Sequence, residues 1–153
     1  MTDKFTAEFR SRIMGEVRAK HTKPELVVRR LLHATGYRYR LHVPNLPGRP
    51  DLVFPKRRLV VFINGCFWHL HAGCAKARLP KSRVECWTEK LEGNRRRDAL
   101  NVAALQPLGW GVMTIWECEL QNHAKLLGSL QEFLGLPGAN LGAARSVRVL
   151  HGQ

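Results

Sequence analysis

The sequence predicts an α/β sandwich built on a mixed central β-sheet. Apolar, β-branched runs of strand length recur as "DLVF", "RLVVFIN" and "WGVMTIW", and such runs suit a pleated, buried surface. Segments with apolar residues at helical spacing flank these runs and separate the last two, the pattern of helices packed on a sheet. Clusters rich in Gly and Pro break the chain between the elements.

Taken in order, the first 36 residues read as helical. Phe9, Ile13 and Val17 recur at four-residue intervals on one face, with Arg10, Arg12 and Arg18 facing elsewhere. Thr22, followed by Pro24 and Glu25, has the form of a capping box opening a second helix, "PELVVRRLLHAT", which Gly36 can close in the left-handed conformation. "YRYRLHV" alternates like a strand with one buried face, and "PNLPGRP" is a turn-rich loop that can continue neither element. "DLVF" and "RLVVFIN" are adjacent strands joined by the basic turn "PKRR". Residues 84–106 form a helix with Trp87, Leu91, Leu100 and Leu105 as its apolar positions, ended by Pro107 and Gly109. "WGVMTIW" is the third central strand, and "ELQNHAKLLGSLQEFLG" an amphipathic helix. Gly, Ala and Pro dominate from Gly135 onward. The expected organisation is therefore one domain over 1–134 and a loosely attached tail over 135–153.

A chain of 153 residues with 44% hydrophobic composition suffices for one core, burying roughly 70% of the surface its unfolded chain exposes. Its formal charge of +13 is unevenly spread. Residues 1–40 carry ten Lys/Arg against four acids and residues 75–98 eight against four, whereas 99–153 carry three against three. Local positive fields of this kind suit a polyanion, so nucleic acid is the expected partner, the alternative being a merely solubilising basic surface. No run approaches the roughly 20 apolar residues of a membrane span, and "MTDKFTAEFRSR" lacks the apolar core of a signal peptide. A cytoplasmic protein is expected. In that reducing setting Cys66, Cys74, Cys86 and Cys118 point to metal or packing before disulfides.

The chemistry concentrates at strand ends. Asp51 follows Pro50 and starts a buried strand, and the next strand delivers Ile63 and Asn64 to the same end, with His69 one loop further on. A carboxylate beside exposed strand carbonyls offers the hard oxygens that suit Mg²⁺, and a nearby imidazole can take a proton from water. These pieces amount to phosphodiester hydrolysis. The alternative is that Asp51 only caps a turn and His69 is structural. Cys66, His71 and Cys74 form C-x4-H-x2-C, and Cys118 follows the third strand. Four such ligands suit a closed tetrahedral structural Zn²⁺, the alternative being small buried thiols. Cys86 reads as a packing residue. Phe67 and Trp68 lie inside the metal loop, where they either form a wedge that unstacks DNA or cover the zinc as a small satellite core, and Trp87 can join them.

"LPGRPDLVF", "VVFINGCFWH", "WTEKLEGNRRRD" and "LGWGVMTIWECEL", in that order, resemble the very-short-patch-repair (Vsr) endonucleases, as does "RSRIMGEVRAKHTKPE" near the N-terminus. The likeness runs from about residue 8 to about residue 120. It implies a restriction-endonuclease-like (PD-(D/E)xK-type) fold with a structural zinc, and a Mg²⁺-dependent nick in one strand, 5′ to the thymine of a T:G mismatch left by deamination of 5-methylcytosine. It implies a monomer acting on double-stranded DNA near the nucleoid, with mismatch-repair proteins and a repair polymerase downstream.

By the same resemblance Asp51 and the Ile63 carbonyl bind magnesium, Glu25 helps to hold hydrated metal, His69 acts on the attacking water and Asp98 is an acid beside the site. Cys66, His71, Cys74 and Cys118 match zinc ligands, although the "HLHAGC" spacing differs by one residue. Phe67, Trp68 and Trp87 match aromatics that enter DNA, Asn94 and Arg97 match DNA contacts, and the N-terminal helix with Arg10 and Arg12, over about residues 1–20, would clamp the duplex. Asn64 departs from the pattern, standing where relatives carry Asp or His; an amide can orient water but cannot exchange a proton. Two further readings follow: a zinc-stabilised DNA-binding module of the same fold with weak or no cleavage, and a related nuclease acting on intact, sequence-specific sites.

Overall fold

The computed structural model describes residues 22–138. The expected N-terminal helix with Arg10 and Arg12, and the chain beyond residue 138, lie outside the described residues.

Helix α1 (Lys23–Ala34) starts where the sequence places it. The Thr22 hydroxyl accepts from the Glu25 N–H at 3.3 Å, and Pro24 occupies the first turn, where its missing N–H costs nothing. Val28 and Leu32 form its fully buried stripe. Strand β1 is only Arg40–Leu41, shorter than the seven-residue run expected from its alternation. His42 adopts a left-handed backbone with φ +46°, which turns the chain out of the sheet.

Strands β2 (Leu52–Phe54) and β3 (Leu59–Asn64) form the expected hairpin, with Leu52 opposite Val61 and Phe54 opposite Leu59. A 3₁₀ turn at Pro55–Arg57 and a left-handed Arg58 connect them. Strand β4 (Gly111–Trp116) runs parallel to β3, from Leu59 beside Gly111 to Asn64 beside Trp116. A parallel neighbour requires a crossover, and helix α2 (Val84–Leu105) supplies it. The sheet order β1-β2-β3-β4 is mixed, as expected.

The final helix begins later than its composition suggests. Glu117–Gln121 is a 3₁₀ turn, and Asn122 then caps α3 (His123–Leu134) by accepting from the Lys125 N–H at 3.1 Å. An asparagine that binds its own backbone two or three residues on favours a cap over a helix interior. Gly135 and Leu136, expected to begin a loose tail, are tied down. Arg57 donates to the carbonyls of Leu134 and Leu136, and the Tyr37 hydroxyl donates to that of Gly135.

Alternation along the strands makes three layers. Leu52, Phe54, Val61, Ile63, Met113 and Ile115 face α1 and α3, packing on Val28, Leu32, Leu126, Leu130 and Phe133. Val53, Val60 and Val112 face the other way, onto Leu105 and Trp110. Each fully buried aliphatic side chain contributes about 1.5–3 kcal/mol of transfer free energy. Leu100, expected in the core, is 69% exposed. The stripe α2 buries runs through positions 87, 91, 94, 98, 102 and 105, and a residue two positions past 98 points to the opposite side. No helix among the described residues is long and apolar enough to cross a membrane.

The topology gathers one end of the sheet. Because β2 and β3 are antiparallel, the start of β2 meets the end of β3. Because β3 and β4 are parallel, they finish side by side.

Candidate active site and metal centre

The loop before β2 turns through Gly48 at φ +77°, where a side chain would be strained and would also meet Asn101 at 2.9 Å. The chain then reaches Asp51, whose Oδ2 accepts from the Ile63 N–H at 2.7 Å. In an extended strand the N–H and C=O of one residue point to the same edge, so the Ile63 carbonyl faces the Asp51 side of β3. Burial pushes the Asp51 carboxyl up from 3.8 to about 6; the Ile63 hydrogen bond opposes this, Glu25 adds to it and His69 offsets part of it. Glu25, on the first turn of α1, is 1% exposed and reaches His42, with Oε1 and Nε2 at 2.7 Å. The same Nε2 lies 3.9 Å from Asp51 Oδ1. Ligand atoms of Glu25, His42 and Asp51 all fall within 4.8 Å of one another, so two carboxylates and an imidazole converge on one point, a donor set that fits a divalent cation.

Glu25 takes part in two local arrangements: its N–H completes the Thr22 cap while its carboxylate enters this cluster. His42 is the residue that sequence reasoning missed. Read as part of an alternating strand, it falls on the polar face beside Arg38 and Arg40, and only the end of β1 at Leu41 turns it inward.

His69 and Asp98 meet. The imidazole Nδ1 lies 2.5 Å from Asp98 Oδ2, both side chains about one-third exposed or less. A carboxylate on Nδ1 fixes the ring and leaves Nε2 to act on a proton. Asn64 closes β3 at this end and is 8% exposed.

From Gly65 the chain folds into consecutive turns. His69 N–H bonds the Gly65 carbonyl, His71 N–H that of Cys66 and Cys74 N–H that of His71. The sulfurs of Cys66, Cys74 and Cys118 and one His71 nitrogen lie within 4.8 Å of one another, which brings together the four residues expected from spacing. His71 Nδ1 points into the cluster, 3.6 Å from the Cys66 sulfur and 3.5 Å from that of Cys118. Its ring is stacked on Trp116 at 4.1 Å and an interplanar angle of 6°. Burial pushes the Cys66 thiol up to about 12 and the Cys118 thiol upward, whereas the Lys76 N–H bond lowers that of Cys74. Three thiols and an imidazole at this separation fit a tetrahedral cation, whose charge would favour the thiolates.

The aromatics pack on one another. Phe67, Trp68 and Trp87 have ring centroids 5.1–5.9 Å apart, and with Leu91 and Leu70 they form a third small core. Trp87, expected to enter DNA, is 4% exposed and supports the other two from below, while Phe67 and Trp68 keep partly exposed surface. Cys86 packs against this cluster as expected. Asn94 was expected at DNA, but its amide is engaged within the protein. It donates to the Trp68 carbonyl at 2.9 Å and accepts from Arg97 at 2.5 Å. Arg97, with Arg95 and Arg96, remains on the exposed side of α2.

A family model described as DNA mismatch endonuclease Vsr matches residues 2–76. The chain is 52% identical over 134 residues to the type II nicking enzyme V.XorIIP of Xanthomonas oryzae, covering 88% of this chain and 98% of that protein. It is 45% identical over 124 residues to the type II nicking enzyme V.NmeAIP of Neisseria meningitidis, covering 81% and 88%. It is 39% identical over 126 residues to the DNA mismatch endonuclease Vsr of Escherichia coli, covering 82% and 80%. Together with the strand-end carboxylate of Asp51 and the imidazole held by Asp98, these likenesses define the class: the chain is a DNA endonuclease. More narrowly, it belongs to the Vsr family. The reading of a DNA-binding module that does not cut is thereby set aside.

Proposed function

We propose that this endonuclease nicks one DNA strand 5′ to the thymine of a T:G mismatch, using Mg²⁺ held by Asp51, the Ile63 carbonyl and Glu25, on a restriction-endonuclease-like scaffold stapled by Zn²⁺ at Cys66, His71, Cys74 and Cys118. Held by these groups, Mg²⁺ would supply positive charge to offset the developing negative charge on the scissile phosphate. His69 Nε2 takes a proton from the attacking water while Asp98 holds the ring through Nδ1 and stabilises the imidazolium that forms. Asn64, an amide, orients that water without exchanging a proton. The zinc loop sets the height of Phe67 and Trp68, whose exposed edges insert beside the mismatch, and Trp87 backs them. Arg97 of α2, and Arg10 and Arg12 of the N-terminal segment, bind phosphates and give the salt dependence expected of a basic protein. The protein acts as a single-domain monomer in the bacterial cytoplasm, and mismatch-repair proteins and a polymerase use the nick.

The observation that supports this reading most directly is the convergence of Asp51, the Ile63 backbone, Glu25 and the His69–Asp98 pair at one sheet end. Strand-resolved cleavage of T:G duplexes with Mg²⁺, comparing the wild type with Asp51→Ala and His69→Ala, tests it. Cutting that survives both substitutions sinks the site assignment. A second reading, nicking at intact sites, draws on the name "nicking enzyme" carried by the relative at 52% identity. Equal rates on paired and mismatched duplexes would favour it.

A further inference from the structure

We propose that His42 is a direct ligand of the catalytic cation, and that its nitrogen raises the affinity of the Glu25/Asp51 site for cations of the Mn²⁺ or Fe²⁺ class more than for Mg²⁺. This rests on the reading that Asp51 and Glu25 hold the cation.

The argument begins with where the ring points. His42 Nε2 contacts Glu25 Oε1 at 2.7 Å and also lies 3.9 Å from Asp51 Oδ1, so a single nitrogen addresses both carboxylates. A histidine that served only to hold Glu25 would need only the first contact. Asp51 uses its other oxygen, Oδ2, on the Ile63 N–H, which leaves Oδ1 turned toward the imidazole. Ligands of one divalent cation, each about 2.1–2.3 Å from it, sit about 3 Å apart when adjacent and up to about 4.5 Å apart when opposite. The mutual separations within this cluster fall inside 4.8 Å. A cation among these atoms would take the place of the direct contact between Glu25 and His42 with small movements of the three side chains.

The imidazole is placed there at a backbone cost. His42 stands at φ +46°, a left-handed conformation that is strained for a non-glycine residue and persists only where surrounding contacts impose it. The pair formed by its N–H and the Asp51 carbonyl, at 3.4 Å, ties this bend to the residue it faces. Adding a nitrogen to an oxygen set changes which metal is favoured: Mg²⁺ prefers oxygen and retains its waters, whereas imidazole raises affinity along the series from Mn²⁺ to Fe²⁺ and Co²⁺.

The test uses the full, zinc-loaded chain with Mn²⁺ as the probe, read by electron paramagnetic resonance, with Mg²⁺ affinity obtained by competition. Bound Mn²⁺ should show coupling to one directly bonded nitrogen, and labelling the histidines of the wild type with heavy nitrogen should change that coupling. His42→Gln should remove it and weaken Mn²⁺ about tenfold or more, while Mg²⁺ weakens about threefold or less. His69→Ala should leave the coupling in place. Mn²⁺ that binds in an Asp51-dependent manner without nitrogen coupling overturns the role of His42 alone, as does an equal loss of both metals in His42→Gln. Mn²⁺ and Mg²⁺ binding that Asp51→Ala leaves unchanged overturns the underlying cation site as well.

Discussion

Replacing Asp51 by Asn should stabilise the Mg²⁺-free protein while abolishing its nicking. Burial raises the Asp51 carboxyl from 3.8 to about 6. Each pKa unit corresponds to about 1.4 kcal/mol, so the fold disfavours the ionised form by roughly 3 kcal/mol at pH 7. The sign follows from which state binds the proton. The folded state holds it more tightly, so the penalty is absent below about pH 4, grows as pH rises toward 6 and is complete above that. Asparagine is neutral throughout and keeps an oxygen for the Ile63 N–H, though a weaker acceptor than a carboxylate. The expected gain is therefore about 1–3 kcal/mol at pH 7, shrinking toward zero near pH 4. For a chain of this size that is a rise in Tm of several degrees. Thermal unfolding of zinc-loaded protein without Mg²⁺, at a series of pH values, measures it. Added Mg²⁺ should then stabilise the wild type and not the variant, narrowing the gap. A variant less stable than the wild type at pH 7, or a gap that does not change with pH, would refute the view that this carboxylate is held at the expense of the fold.

Other expectations concern the remaining groups. His69→Ala and Asp98→Asn should each slow single-turnover nicking, the first by about 10²–10⁴-fold as loss of a general base implies; unchanged duplex affinity in a binding titration would place the loss in the chemical step. Cys118→Ser should lower the zinc content measured by elemental analysis and destabilise the protein by several kcal/mol, because the ligand that joins β4 to the loop is the one removed. Gly111→Ala should cost about 1–3 kcal/mol in urea denaturation, since a Cβ there would lie 2.5 Å from Leu59, with zinc content unaffected.

What was legible in the sequence divides by range. The strands at 52–54, 59–64 and 111–116 were readable because their side chains are buried on both faces of one sheet, and a β-branched run is what such burial requires. The clustering of Cys66, His71, Cys74 and Cys118 was readable because three of the four lie in one loop. His42 was hidden because its place beside Glu25 and Asp51 depends on the residue leaving the β conformation, which no alternation pattern encodes. Leu100 misled because composition marks a residue as apolar without fixing its phase on the helix. Trp87 and Asn94 carry residue types common at DNA interfaces, and only packing shows that both face inward.

These last residues bear on how the short loop after β3 is held. The buried stripe of α2 presents Trp87, Leu91, Asn94 and Asp98 in succession to residues 67–70, as a ring support, a core contact, a hydrogen bond to the Trp68 carbonyl and the partner of His69. Below them Val102 and Leu105 seat the same helix on the sheet. The cluster of Cys66, His71, Cys74 and Cys118 gathers both ends of the loop, and the helix holds its middle. The Phe67 and Trp68 rings are therefore connected through consecutive residues to His69, whose neighbour Trp68 is bonded to Asn94 one helical turn from Asp98. The contacts from the Phe67 and Trp68 rings through Asn94 to the Asp98–His69 pair thus form one contiguous path along a single helix face.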